Sequence, residues 1–431
     1  MLKLEKIISW KKIKENHQFI WLSIIILFVA SFFCYWFFLK PEELPPIKVG
    51  IIHSLTGTMS IQEPSAVRAV KLAIDEINKH GGVLNRKVEA IIFDGQSDWP
   101  MFARGAEKLI VRDKVVALFG GWTSSARKEM LPIVEKHKHL LFYPLSYEGI
   151  EESPHIFYTG GAPNQQLLPG LWWAMNNLGD TFFYVGSDYI YPRVSQQILE
   201  KQVEALGGKL LGLAFLPLGS TRVKPIIEEI IRKKPKVILN NVVGDSNIAF
   251  FRSLRQEGIT PEEIPNMLFS LTEAEVSAVG VEYLVNEYAT WNYFQTIDTR
   301  KNNNFVKAFK AKYGQDQRIS DPMAAAYAGV FFWANAVERA GTTEIEQVIF
   351  ELHGLSQDAP EGVINIDEFN HHTWKLIRIG RVQEDGLFSI VWDSKKPVKP
   401  IVAPPFLTPL GWQKFIDKLY TQWGNKWEKT L

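Results

Sequence analysis

Four short polar stretches carry the residue types that could do chemistry. They are Trp122-Thr123-Ser124-Ser125, Tyr143-Pro144-Leu145-Ser146-Tyr147, Asp188-Tyr189-Ile190-Tyr191 and Gly244-Asp245-Ser246-Asn247. They offer hydroxyls, backbone N–H groups at helix starts, aromatic walls and one or two carboxylates. A ligand carbonyl oxygen could accept from helix N-terminal N–H groups and the Ser124 hydroxyl, while ligand amide N–H groups could donate to Asp245, tyrosine hydroxyls or backbone carbonyls. That inventory suits binding of a small neutral polar molecule. Each stretch alone also fits an ordinary cap or turn; their recurrence at corresponding strand ends points to a ligand. Catalytic constellations are absent from the sequence. It contains no G-x-x-x-x-G-K-[ST], no H-E-x-x-H and no G-x-S-x-G. The acidic residues form no obvious pair. His371-His372 is expected to be a solvated turn rather than a metal site, and no cofactor is expected.

The elements needed to position these stretches follow from the apolar periodicity. Val115–Phe119 reads as a buried strand ending on Gly120-Gly121. Thr123, Ser124 or Ser125 can cap the helix that follows, and His139–Tyr143 is the next strand, stopped by Pro144. Upstream, strands Ile47–His53 and Val88–Phe93 alternate with helices over Pro64–Lys79 and Trp99–Arg112. Downstream the alternation restarts, with strands Thr181–Val185, Leu210–Phe215, Val237–Asn241 and Asn266–Ser270 separated by helices. This pattern predicts two α/β lobes, each a doubly wound parallel sheet. Ligands of such sheets bind beyond the carboxyl ends of the strands, where all four stretches fall. Further on, helices are expected over Asn304–Tyr313 and Met323–Ala340. Antiparallel strands are expected over Val363–Asp367 and Thr373–Ile379, with a last strand at Phe388–Trp392. A proline-rich tail from Pro397 ends in an amphipathic stretch, Trp412–Leu419.

The chain has 431 residues, room for two domains, with 46% hydrophobic and 22% charged residues. A net charge of +1 supplies no footprint for nucleic acid. The single cysteine, Cys34, excludes an intramolecular disulfide and CxxC-based sites. Phe19–Leu39 is almost wholly apolar and uncharged, and Lys3, Lys6, Lys11, Lys12 and Lys14 precede it. This predicts an uncleaved, single-pass membrane anchor with a cytoplasmic N-terminus and everything after Lys40 outside. Pro41–Pro46 is a short stiff spacer.

Several stretches resemble the branched-chain-amino-acid type of periplasmic binding protein, and within it the urea and short-chain amide-binding branch. They are Val49–Met59, Ala73–Gly82, Phe119–Lys128, Leu141–Gly149, Tyr158–Gln166, Gly186–Arg193, Gly244–Asn247, Leu271–Val276, Trp291–Phe294 and Ala359–Val363. The chain is also similar to the amide-sensing regulator of aliphatic amidase operons, which shares the stretch GSDYIYPR. Gly121 and the membrane segment depart from the family pattern. The resemblance implies two lobes in a type 1 periplasmic binding fold, joined by three crossovers near Phe157–Pro163, Tyr288–Phe294 and Gly354–Gly362. It implies a ligand-binding domain over 47–396, after an anchor and spacer over 1–46 and before a tail over 397–431. Lobe one would be 47–160 plus 293–358, and lobe two 161–292 plus 359–396.

The resemblance further implies that Ser124 binds ligand polar atoms, that Trp122 and Tyr143 form walls, and that Leu145 and Ser146 present backbone groups. Tyr189 and Asp245 would close from the other lobe. The implied function is a non-enzymatic receptor for urea or a short amide, delivering it to ABC permease subunits. The same fold could instead serve a membrane-anchored sensor signalling to a partner.

Overall fold

A computed structural model describes residues 20–33, 35 and 44–429. Two compact units divide the chain, Met1–Pro45 and Pro46–Leu431. In the first, residues 20–33 form a helix, α1, with exposed apolar side chains. The anchor expected over 19–39 lies partly outside the described residues, as do the preceding lysines and Cys34. Among the described residues no helix is long and apolar enough to cross a membrane.

The second unit is built on two sheets. In the first lobe, β1 (Ile47–His53), β2 (Val88–Asp94), β3 (Leu118–Gly120), β4 (Leu141–Tyr143) and β5 (Ile156–Tyr158) form an all-parallel sheet in the order β2-β1-β3-β4-β5. Its faces carry α2 (Glu63–Lys79), α3 (Trp99–Glu107, continued by a π-turn over Lys108–Arg112) and α4 (Ser124–Lys136). Strands buried on both faces read as near-continuous apolar runs, which is why IKVGIIH and ALFG were recognisable. The strand order reverses between β1 and β3, so the crevice beyond His53 and Gly120 is the expected ligand position. Gly120 must be glycine: its φ is +142°, and a Cβ there would lie 2.0 Å from the Ile52 carbonyl oxygen.

The chain then enters the second lobe through α5 (Leu167–Asn177). There β6 (Thr181–Ser187), α6 (Ile190–Ala205), β7 (Lys209–Leu216), α7 (Lys224–Lys233), β8 (Val237–Asn241), α8 (Ser246–Gln256), β9 (Asn266–Leu268), α9 (Glu273–Val279), α10 (Val281–Leu284) and β10 (Tyr288–Trp291) follow in turn. The sheet order is β15-β14-β10-β9-β8-β6-β7. Its order reverses between β6 and β8, at Ser187 and Asn241, so the second lobe offers a matching crevice. A second crossing returns the chain to the first lobe, where α11 (Arg300–Tyr313) and α12 (Asp321–Ala340) pack on α2, with α13 (Ile345–Leu352) on α12.

The last crossing differs from the expected hairpin. Strands β11 (Ser356–Ala359), β12 (Gly362–Ile366) and β13 (Thr373–Trp374) make a small antiparallel sheet. The chain then runs on to β14 (Arg378–Val382) and β15 (Phe388–Asp393), which add antiparallel to the second sheet at β10. The run Thr373–Ile379 is therefore split between two sheets. The split falls where Lys375 is buried against Glu361 at 3.1 Å and the Leu376 carbonyl accepts from Asn292. Alternating apolarity could not reveal it, because both halves are extended.

The crossings are tied together by Asn292. Its Nδ2 donates to the Gln165 carbonyl at 3.1 Å on the first crossing and to the Leu376 carbonyl at 2.9 Å on the third, and its own N–H donates to Asp321 Oδ2. Burial pushes the Asp321 carboxyl up to about 6.

The tail is part of the folded unit. The helix α14 (Pro409–Gln422) buries Trp412, Ile416 and Leu419 and packs against α6.

Candidate functional site

The first wall of the cleft is the corner between β3 and α4. Gly120-Gly121 turns the chain, and Thr123 caps α4, its Oγ1 accepting from the Ala126 N–H at 3.1 Å. Of the three expected caps, Thr123 is the one used. The first-turn N–H groups of Ser124 and Ser125 have no intrahelical acceptor and so remain as donors at the positive end of the helix.

Ser124 sits inside a buried charge network. Its Oγ donates to Glu148 Oε2 and accepts from Arg127 Nη1 at 3.0 Å, leaving one lone-pair position on the hydroxyl. The guanidinium of Arg127, fully buried, also reaches Glu148 Oε1 at 3.0 Å and Glu151 Oε1 at 2.7 Å. Lys128 Nζ pairs with Glu151 Oε2 at 3.0 Å. Two cations thus meet two carboxylates, and the corner is charge-balanced. Burial alone would raise the Glu151 carboxyl, but the Arg127 and Lys128 charges overcome it and hold the group well below the usual carboxylate range. Sequence inspection missed Arg127, Glu148 and Glu151. Their signal lay in the spacing: Arg127 one helical turn after Ser124, and Glu148 and Glu151 directly after the next polar corner.

The second wall follows β4. Tyr143 Oη donates to the Trp122 carbonyl at 2.6 Å, joining two of the expected site residues. The Arg127 guanidinium lies 4.9 Å from the centre of the Tyr143 ring and 4.4 Å from that of Tyr147. Trp122 is buried and meets His53 edge-on, 6.4 Å between ring centres. Leu145 packs against the cores of both lobes. The Ser146 hydroxyl accepts from the Gly161 N–H at 3.1 Å, bracing the first crossing.

From the second lobe, Tyr189 and Tyr191 open α6 and are both buried. Burial is the largest cause for both and pushes the two phenols up, so they stay neutral donors. Tyr189 stands at the start of α6, its ring centre 6.4 Å from that of Tyr191. Asp245 is placed differently, accepting from Thr58 Oγ1 at 2.6 Å. Gln62 Nε2 donates to Glu275 Oε1 in a second contact between the lobes, and burial pushes the Glu275 carboxyl up to about 8. Around the second corner, Asn241, Ser246 and Ser270 are buried with side-chain polar atoms that have no hydrogen-bond partner among the described residues.

His371 and His372 are not a solvated turn. His372 is fully buried, stacked on Tyr158 with ring centres 4.1 Å apart, and His371 stacks on Phe157 at 4.5 Å. Desolvation lowers them to about 3 and about 4. The turn carries them back under β5, a long-range packing that a polar dipeptide does not announce. Among the described residues, no group of three or more His, Cys, Asp or Glu side chains could hold a metal ion.

A family model for the periplasmic binding protein domain matches residues 47–408. The chain is 24% identical over 334 residues to the leucine-, isoleucine-, valine-, threonine- and alanine-binding protein of Pseudomonas aeruginosa, covering 75% of this chain and 86% of that one. It is 21% identical over 355 residues to Leu/Ile/Val-binding protein homolog 6 of Brucella suis, covering 79% and 89%. A limonene hydroxylase of Geobacillus stearothermophilus matches at 36% identity over 130 residues; the chain covers only 23% of that protein's length. Among solved structures, a leucine-binding protein of Thermotoga maritima superposes with a TM-score of 0.72 at 21% identity, covering 80% of this chain and 98% of that one. A solute-binding protein of Rhodopseudomonas palustris HaA2, in complex with p-hydroxybenzoic acid, gives 0.73 at 21%, covering 84% and 98%. With two doubly wound lobes, three crossings and a match over most of its length, the chain belongs to the periplasmic binding protein family.

Proposed function

We propose that this protein is the solute receptor of an ABC importer and that its ligand is a small uncharged amide, urea or a short-chain aliphatic amide. One observation carries the ligand class: the corner around Ser124 is already charge-balanced, with Arg127 and Lys128 matched by Glu148 and Glu151. A buried cation paired in this way is not available to a ligand carboxylate, and a buried carboxylate paired in this way is not available to an ammonium. Adding a net charge to such a site is costly in a low-dielectric interior. A neutral amide needs only dipoles. Its carbonyl would take the first-turn N–H groups of α4, and its N–H groups would donate to the remaining Ser124 lone pair.

In this reading Trp122 and Tyr143 wall the ligand, Leu145 and Ser146 bring backbone groups, and Tyr189 and Asp245 close from the second lobe about the hinge. The chemistry is binding, not catalysis. Some similar proteins carry names or titles that mention amino acids or p-hydroxybenzoic acid, and those ligands bring a carboxylate. Attachment to the membrane through 19–39 is part of the proposal and rests on the uncharged apolar run and the lysines before it.

A thermal-shift panel at neutral pH tests the ligand class. Urea, formamide and acetamide would be compared with leucine and p-hydroxybenzoate. A ligand at about 100 times its Kd adds ~2.7 kcal/mol of stability. Stabilisation by an amide and not by the carboxylates is the expected result. Stabilisation by the carboxylates alone overturns it.

A further inference from the structure

The last described residues of the chain lie across the two lobes at the cleft. The Trp427 carbonyl accepts from Ser125 Oγ at 3.0 Å, in the first turn of α4, and from the Ile190 N–H at 3.0 Å, in the first turn of α6. One oxygen atom therefore bonds the first lobe and the second. Around it, Glu428 forms a bridge with Tyr189, and the Lys429 N–H donates to the Asp188 carbonyl at 3.1 Å. The Trp427 ring is held by Lys128 Nζ, 4.9 Å from its centre, and by Tyr420 of α14 at 4.3 Å. The neighbours of both anchor points, Ser124 and Tyr189, are residues proposed to touch the ligand. The family match ends at residue 408, so this segment and the helix that presents it lie beyond the matched domain.

We infer that residues 427–429 are a latch that holds the two lobes closed over the cleft. The lobes can separate only by breaking the Ser125 or the Ile190 hydrogen bond to Trp427. The Ile190 N–H reports on this directly. As a first-turn donor it has no intrahelical partner, so its protection comes from the tail. The inference concerns the closed state and holds whichever ligand the cleft takes.

The test uses the full chain without added ligand. Trp427→Gly keeps the backbone carbonyl but removes the ring that Lys128 and Tyr420 hold, so the segment is expected to detach and hydrogen exchange at the Ile190 amide to rise about tenfold. Exchange at Leu239 in β8 and Ile51 in β1 is expected to stay unchanged. Equal acceleration at those two amides makes the tail an ordinary part of the core and overturns the latch. A second measurement reads the lobes themselves. Dyes on Lys114→Cys and Lys233→Cys, with Cys34→Ser, should show lower energy transfer when Trp427→Gly is added. Unchanged transfer overturns the latch even if Ile190 exchanges faster, because the tail then only caps α6. Ser125→Ala, which leaves the Trp427 ring in place, is expected to lower the transfer in the same direction, and no change there counts equally against the latch.

Discussion

Thr58 and Asp245 meet across the cleft. The threonine hydroxyl, in the loop after β1, donates to Asp245 Oδ1 at 2.6 Å, in the loop after β8. The backbones are also close: a Cβ on Gly244 would lie 3.2 Å from the Thr58 carbonyl oxygen. The contact belongs to the closed arrangement, so it adds to ligand affinity only through closure. Thr58→Val and Asp245→Ala are each expected to weaken binding of the ligand, with a coupling of about 1–2 kcal/mol in a double-mutant cycle. Strictly additive losses in calorimetry would show that the pair does not act as a unit.

The Arg127 network sets the stability of the first wall. Glu148→Ala leaves a fully buried guanidinium with one carboxylate fewer, and breaking such a pair costs about 3–5 kcal/mol. Glu148→Gln keeps an acceptor for Ser124 and Arg127 and should cost less. Guanidinium chloride is the denaturant of choice, since urea is a proposed ligand. A loss under about 1 kcal/mol for Glu148→Ala would mean that water replaces the carboxylate without penalty.

The buried histidines make stability fall in acid. His371 titrates near pH 4 in the folded protein and His372 near pH 3, against an ordinary value near 6.5. Below 6.5 the unfolded chain takes up protons that the folded state refuses. Stability that is fully present above that value is therefore lost as the pH falls toward the folded values. For His371 the loss is on the order of 3 kcal/mol. His371→Phe, which preserves the stack on Phe157, should flatten part of the melting-temperature decline between pH 6.5 and 4. An unchanged slope assigns the decline to other groups. Glu273 and Glu275, both raised to about 8 by burial, act in the opposite sense, lowering stability as the pH rises from about 4.5.

Asn292 joins the three crossings through a buried hydrogen bond to the Gln165 carbonyl and a half-buried one to the Leu376 carbonyl. Asn292→Ala removes both donors and leaves the Gln165 carbonyl buried without its partner, at an expected cost of about 1–3 kcal/mol. Guanidinium melts read the stability, and the ligand's dissociation rate reads the hinge. A stable Asn292→Ala protein with unaltered dissociation would contradict a hinge role.

The alternating strands and helices were legible because buried parallel strands are apolar throughout and their corners are glycine- and hydroxyl-rich. The corners themselves, Trp122–Ser125 and Tyr143–Tyr147, were legible for the same reason, and the Tyr143–Trp122 hydrogen bond joins them. What the residues did not announce depends on distance along the chain. The Glu148 and Glu151 carboxylates showed no pairing in the sequence, and it is α4 that brings Arg127 to them. His371-His372 looked like a solvated turn until β5 supplied two aromatic faces. Thr373–Ile379 read as one strand because extension carries no record of which sheet it joins. Trp427, far along the chain from the other residues of the cleft, had no local pattern to mark it.

A calorimetric titration of the full-length protein with urea and acetamide, beside leucine and p-hydroxybenzoate, tests the central claim most directly. The proposed amide ligand predicts saturable binding of urea or acetamide, weakened about tenfold or more in Ser124→Ala, where one polar contact is lost. Saturable binding of leucine or p-hydroxybenzoate with no heat from either amide would contradict it, and would mean that Arg127 or Glu148 exchanges its partner for the ligand.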